Sequence, residues 1–545
     1  MGAASLILPI LLPLLIVPLV LFSASRATAL RLAPWTPLAG LILALTAPAD
    51  PHLDLPGVLL GTRLSLDDTG RLFLLFTSLV WLLAGWFALG WLRDDAGKHR
   101  FWAFFLATQA GNLGVCLAMD AASFYLLFAL MSFAAYGLVV HSGTAEALLV
   151  AGILLAVGAA DSHRLVDLAA VPLSGPAAAL LIAGFGIKVG VPLLHMWLPL
   201  AHPVAPVPAS AVLSGVMLKA GLLGWLRFLP LGAHAMPETG AVLMGAGLAA
   251  MFLGVAAGLA QREPKVLLAY SSVSQMGFMT LGVGAGLSAP ALWPLLLPAV
   301  GLYALHHALA KSALFLGVGL IRRSGAHPAR LVVLALPALA LAGAPLTSGM
   351  LAKTELKIAL ENLAAPWPVL LSGLLPLAAF GTALLMLRLL WLTWQKYRPQ
   401  TRPGTSVPAV SGIDAPWLTL VLASAGLAWA MSPQIPWAHA LRVGPLLDAT
   451  WPPLAAILLG LVASRQHWRT PALPPGDVLL PLMRGMDFLA GRTSFRVLPQ
   501  EMPPALRIPQ SRRSPRLESK LRAGGMAGAL WLALLGALIA LLVRP

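Results

Sequence analysis

The chain has 545 residues, of which 59% are hydrophobic and 10% charged, and its mean hydropathy of +0.85 is too high for a water-facing surface wrapped around one core. A single cysteine, Cys116, excludes an internal disulfide, a paired-cysteine redox centre and an Fe–S ligand set. The formal net charge of +16 raises nucleic acid as a partner, but in so apolar a chain the placement of the basic residues is the first thing to test.

Apolar runs of membrane-crossing length recur from end to end. They fall at 4–24, 29–47, 71–92, 101–118, 121–140, 144–160, 175–194 and 206–229, then at 240–260, 265–287, 291–320, 331–362, 367–394, 412–432, 444–463 and 525–543. The runs are continuous and lack a period of two, so they predict about sixteen transmembrane helices and not a barrel. The opening MGAASLILP has no basic stretch of the kind that starts a cleaved signal peptide, so a retained first helix is expected. Tryptophans at span ends, among them Trp35, Trp91 and Trp451, read as interfacial anchors.

Alternating the sides from an outside N-terminus places 24 basic residues in one set of loops, Lys265 among them, and six in the other. By the positive-inside rule the crowded side is cytoplasmic, and the charge reflects topology and not nucleic-acid binding. A cell-membrane protein with its N-terminus outside is expected. The one long polar stretch, 464–524, carries ten arginines, one lysine and repeated prolines. It reads as a cytoplasmic segment lying near anionic lipid or docking on a partner subunit.

Six basic residues fall inside spans, where a lysine costs about 2.5–3.5 kcal/mol on insertion scales and so marks function by default. Lys188 sits in LLIAGFGIKVGVPLLH (180–195), among Gly184, Gly186, Gly190 and Pro192. Lys353 follows Gly343, Pro345 and Gly349, with Glu355 and Lys357 close by. Paired hydrophobic segments interrupted by Gly and Pro mark inverted-repeat transporters, whose ion sites lie where helices unwind. Lys219 lies mid-span in SAVLSGVMLKAGLLGWLR (210–227). His307 and Lys311 are four residues apart and share a helix face, as a hydrogen-bonded relay needs. The adjacent His306 reads as a structural histidine, since neighbours on a helix point about 100° apart and the two cannot ligate one metal. No metal or cofactor site is expected. The glycine-rich GVGAG (282–286) lies inside an apolar span, and no nucleotide-binding or hydrolase signature is present.

Four ordered motifs carry a family resemblance. GIKVGVPLLHMWLPLAHPVAPVPASAVLSGVMLKAGLLGWLR (186–227), LLAYSSVSQMGFM (267–279), HHALAKSALFLGVG (306–319) and GAPLTSGMLAK (343–353) resemble the antiporter-like membrane subunits of respiratory complex I and Mrp antiporters. WLPLAHPVAP and SGVMLK look most like the large membrane subunit of hydrogenase-4 and formate hydrogenlyase. The resemblance covers about 65–395. It implies two inverted five-helix repeats, each with a broken helix, at about 101–229 and 240–394. These are flanked by N-terminal helices with an external loop (1–100), C-terminal helices (395–463), the basic segment and a last helix (525–545). It also implies proton translocation by Lys188, Lys219 and Lys353, with His307 and Lys311 on a bridging helix and with Glu146, Pro192, His202, Pro345 and Glu355 in support. The partners implied are the other membrane and peripheral subunits of a redox-driven complex, the lipid bilayer, and protons or Na⁺, with no nucleic acid.

One departure stands out. The family's fifth helix carries a glutamate that pairs with the first broken-helix lysine, but FYLLFALMSFAAY (124–136) has Ala129 there. Glu146 on the next helix, or an acid from another subunit, would have to replace it. Three other functions follow from the same residues: an Mrp-type cation/proton antiporter subunit, the membrane subunit of an inorganic-carbon uptake complex, and a scaffold whose conduction is impaired by the loss at Ala129.

Overall fold

The computed structural model describes residues 3–138, 144–398, 412–432, 442–466 and 473. The expected span 525–543 and nearly all of the basic segment lie outside the described residues. Helices dominate, because a backbone surrounded by lipid must satisfy its N–H and C=O groups internally. They run α1 (Leu8–Leu21), α2 (Arg26–Leu32), α3 (Leu38–Thr46), α4 (Asp68–Trp91), α5 (Lys98–Val115), α6 (Ala121–Leu138) and α7 (Thr144–Ala160). There follow α8 (Leu165–Ala170), α9 (Gly175–Val189), α10 (Trp197–Val204), α11 (Val207–Val212), α12 (Leu218–Phe228), α13 (Pro237–Leu259) and α14 (Pro264–Ser288). The last six are α15 (Trp293–Ser324), α16 (Pro328–Ala342), α17 (Ser348–Leu360), α18 (Trp367–Tyr397), α19 (Asp414–Ala430) and α20 (Val443–Arg465).

Among the described residues, nine helical stretches are long and apolar enough to cross a membrane, and four apolar helices are shorter. The shorter ones include α9 and α16, and each of these stops at a left-handed glycine: Gly190 with φ +83° and Gly343 with φ +82°. The expected single span 331–362 is therefore two helices. Both breaks carry the same four-residue pattern, Gly190-Val191-Pro192-Leu193 and Gly343-Ala344-Pro345-Leu346. In each, the leucine is also left-handed, at φ 70° for Leu193 and 61° for Leu346, a conformation a non-glycine residue rarely adopts.

Helices α14 and α15 form the centre, with their membrane-length windows wholly buried. A seam of small residues brings α13 against α14: a Cβ at Gly247 would stand 2.7 Å from the Gly277 carbonyl oxygen, a backbone approach that only glycine permits. At one end of the bundle, an antiparallel hairpin, β1 (His52–Leu55) and β2 (Thr62–Ser65), pairs His52 with Ser65 and Leu55 with Thr62. Asp120 ties it down, accepting from the Arg63 backbone N–H at 2.9 Å. Beside it Asp67 caps α4 through the Gly70 N–H at 2.8 Å and takes a two-pronged contact from Arg227, 2.6 Å on each side. Cys116, at the end of α5, is a buried free thiol.

Candidate functional site

The centre of the site is built by α12 and α15. Between α11 and α12 the helix widens into a π-turn, Leu213–Met217, which releases a carbonyl from the regular ladder. Lys219 uses it: Nζ donates to the Ser214 carbonyl oxygen at 2.9 Å and meets His307 Nδ1 at 2.5 Å. Both residues are fully buried. The turn fits because Gly215 lies against Ser312, where a Cβ would come within 2.0 Å of the Ser312 hydroxyl. Ser214 Oγ in turn shares a hydrogen bond with Ser272 Oγ at 2.7 Å, which ties α14 to the pair.

Lys311 is also fully buried, but its ammonium turns to α14. It donates to the Leu268 carbonyl oxygen at 2.7 Å and to the Ser271 hydroxyl. Helical spacing puts it on the His307 face, yet its ammonium bonds to backbone and serine, and among the described residues no hydrogen bond joins it directly to His307 as the expected relay needs.

Each broken helix brings a lysine to its interruption. Lys188, in the last turn of α9, donates to Ser132 Oγ at 3.0 Å and lies over the rings of Phe128 (5.8 Å) and Trp197 (5.9 Å). Ser132 is one turn beyond Ala129 on α6, so this helix meets the ammonium with a hydroxyl. Trp197 is itself fixed by donating to the Ile187 carbonyl oxygen at 2.7 Å. Lys353 reaches back from α17 to the end of α16 and donates to the carbonyl oxygens of Leu341 (3.0 Å) and Ala342 (2.9 Å). A cation there meets the negative end of a helix and satisfies carbonyls left open by the break.

The supporting residues divide. Pro192 and Pro345 lie inside the two breaks. Glu355 is buried, and it accepts from Ser432 and is not paired with Lys353. His202 is fully buried and stacked on Phe315 at 4.4 Å, with neither ring nitrogen hydrogen-bonded among the described residues. Glu146 lies in the first turn of α7, and its side chain is outside the described residues.

Two buried groups near the site stand outside the residues that the sequence singles out for proton transfer. Lys265 was placed in a cytoplasmic loop, but it is buried and donates to the Ala205 carbonyl oxygen at the end of α10, 2.6 Å away. His306, expected to be structural, is buried with its Nδ1 2.8 Å from the Ser348 hydroxyl at the start of α17. The repeated Gly-x-Pro-Leu pattern was the available sequence signal for the exact position of both breaks.

Comparison with known proteins places this arrangement. Residues 134–377 match the family described as NADH:quinone oxidoreductase/Mrp antiporter, transmembrane; they include all five lysines and histidines expected to move protons. Formate hydrogenlyase subunit 3 of Escherichia coli is 38% identical over 115 residues, which are 20% of this chain and 19% of that protein. Hydrogenase-4 component B of the same organism is 38% identical over 123 residues, 21% of this chain and 18% of that protein. The alignments thus span about a fifth of the length of these relatives. A chain in the structure of the Mrp complex from Dietzia sp. shares the fold, with a TM-score of 0.64 at 22% identity over 85% of this chain and 99% of that one. Over residues 134–377 and in its fold, this chain is similar to antiporter-like membrane subunits, among them those of NADH:quinone oxidoreductase, hydrogenase-4, formate hydrogenlyase and Mrp antiporters.

Proposed function

We propose that the chain translocates protons as one membrane subunit of a redox-driven complex of the hydrogenase-4 or NADH:quinone oxidoreductase type. On this reading it lies in the cell membrane with its N-terminus outside, built from about sixteen helices that include two inverted five-helix repeats. Protons enter from the cytoplasm near Lys188, pass Lys219 and His307, and leave near Lys353, while Lys311, His202, Glu355, Pro192 and Pro345 shape the interior. Glu146 supplies an acid near the first break. Redox chemistry belongs to the partner subunits.

The observation that carries this reading is the fully buried contact between Lys219 and His307. A primary amine and an imidazole can exchange a proton across such a contact, and the cost of burying them is hard to explain by packing. The surroundings of Lys188 favour a modified first half-channel: with Ser132 and two aromatic rings about it, no carboxylate of α6 opens and closes on the ammonium. The test is proton flux into liposomes containing the purified full-length chain, driven by a potassium diffusion potential and read with an enclosed pH dye. Lys219→Ala should slow acidification at least tenfold. Equal rates for wild type and for Ala variants at 188, 219 and 353 would overturn the proposal.

A further inference from the structure

His307 uses one direction from α15 to meet Lys219. His306, about 100° away around the helix, uses another. Its Nδ1 lies 2.8 Å from the hydroxyl of Ser348, the first residue of α17, and Ser348 Oγ donates its own proton to the Ser424 carbonyl oxygen at 2.7 Å. A hydroxyl has one proton to give. With that proton committed to Ser424, Ser348 accepts from His306, so the ring carries hydrogen on Nδ1. In the neutral ring Nε2 is then a bare lone pair, and it is buried without a hydrogen-bond partner among the described residues.

The neighbouring ring has the opposite tautomer. A charged Lys219 has no lone pair, so His307 accepts at Nδ1 and holds its hydrogen on Nε2. That nitrogen too is buried and unbonded among the described residues. One histidine thus offers a proton where the next offers a lone pair.

The site around His306 is shaped for the ring. Gly349 allows the start of α17 to lie against it, since a Cβ at 349 would stand 3.0 Å from His306 Cε1 and 1.7 Å from the Ala340 carbonyl oxygen. Tyr303, one turn earlier on α15, covers it edge-on at 6.0 Å. Lys219 and Lys353 both lie within electrostatic reach of the ring.

We infer that His306 is the proton-handling residue joining the central Lys219–His307 pair to Lys353 at the second break. The inference rests on the function proposed above. Lys219 gives its proton to His307 Nδ1 as His307 releases the one on Nε2, and the released proton arrives on His306 Nε2, giving an imidazolium held at Nδ1 by Ser348. The same Nε2 proton then passes to the neutral amine of Lys353, and the ring returns to its starting tautomer. Each transfer to or from His306 crosses a gap by way of water, because among the described residues no hydrogen bond joins His306 directly to His307 or Lys353.

The test uses the same liposome assay, with flux expressed per incorporated chain and thermal midpoints measured alongside. In His306→Asn the amide nitrogen takes the place of Nδ1 and can still donate to Ser348, but no titratable nitrogen remains. Flux should fall at least tenfold with the midpoint unchanged. Wild-type flux in H306N, where K219A has lost its flux, would overturn this inference and leave the proposed function standing. Wild-type flux in both would overturn the two together. Should H306N lower flux and midpoint alike, Ser348→Ala decides, since it frees a ring that still titrates. A shifted pH of half-maximal flux supports the inference, and an unshifted profile overturns it.

Discussion

The interior lysines are stabilised by three different devices. Lys219 has a π-turn carbonyl and an imidazole, Lys353 has the open end of a helix, and Lys188 has a hydroxyl and aromatic faces. The partners of Lys219 and Lys353 are carbonyl oxygens and an imidazole, so a proton arriving at either need not break an ion pair to be held. Asp67, at the start of α4, is held by charge pairing. Burial alone would lift its carboxyl, but the two Arg227 contacts and the Gly70 N–H hold it below the ordinary value of 3.8. A depressed carboxylate contributes stability above its unfolded pKa and loses it as pH falls through the folded one. The thermal midpoint of the wild type should therefore exceed that of Asp67→Asn at neutral pH, and the gap should close as pH falls below the ordinary carboxylate value of 3.8. A gap independent of pH would show that the charge of Asp67 contributes nothing.

At the scale of elements, the twin breaks differ in how much room surrounds their glycines. A left-handed conformation costs a non-glycine residue about 1–2 kcal/mol, so Gly190→Ala and Gly343→Ala should both lower the thermal midpoint. A Cβ at Gly190 meets only ordinary contact, 3.7 Å from His195 Cβ, whereas at Gly343 it would lie 2.9 Å from Lys353 Cδ and Nζ. Gly343→Ala should thus lose flux beyond its loss of stability, while Gly190→Ala should lose mainly stability. Equal flux in the two variants would contradict the close seat of Lys353. Glycine and proline made the breaks legible in the sequence, and the burial cost of lysine made Lys188, Lys219 and Lys353 stand out. The π-turn was not legible, because its cause is the packing of Gly215 on Ser312 from a distant helix. Lys265 was misplaced because hydropathy records a charge at the end of a span and is blind to the carbonyl that α10 holds above it. The direction of Lys311 was missed for a similar reason: helical periodicity gives a face, while Ser271 and Leu268 on α14 decide where the ammonium goes.

Across the whole molecule, burial is graded from the middle outward. Helices α14 and α15 are enclosed, whereas large apolar side chains such as Val369, Val242 and Leu422 stand 71–80% exposed. Exposed apolar surface of this kind suits lipid or neighbouring membrane subunits. The full-length chain, tagged and extracted in mild detergent, should therefore purify with further membrane and peripheral subunits, and its recovery as a lone species would count against a role as one part of a complex. The number of crossings was the least legible property of the sequence. A hydropathy run of 32 residues at 331–362 passes over the stop at Gly343, where the left-handed φ divides it into two helices.

The buried thiol of Cys116 has a practical consequence for orientation. It lies inside the bundle with 2% of its surface accessible, so a bulky water-soluble maleimide added to intact cells has no native sulfhydryl within reach among the described residues. A cysteine engineered at His52, on the hairpin, or at Asp95, in the turn after α4, would then report its own side without a cysteine-free background. On the proposed topology, with the amino terminus outside, alkylation from the exterior should mark the first and spare the second, and the reverse labelling would overturn that topology.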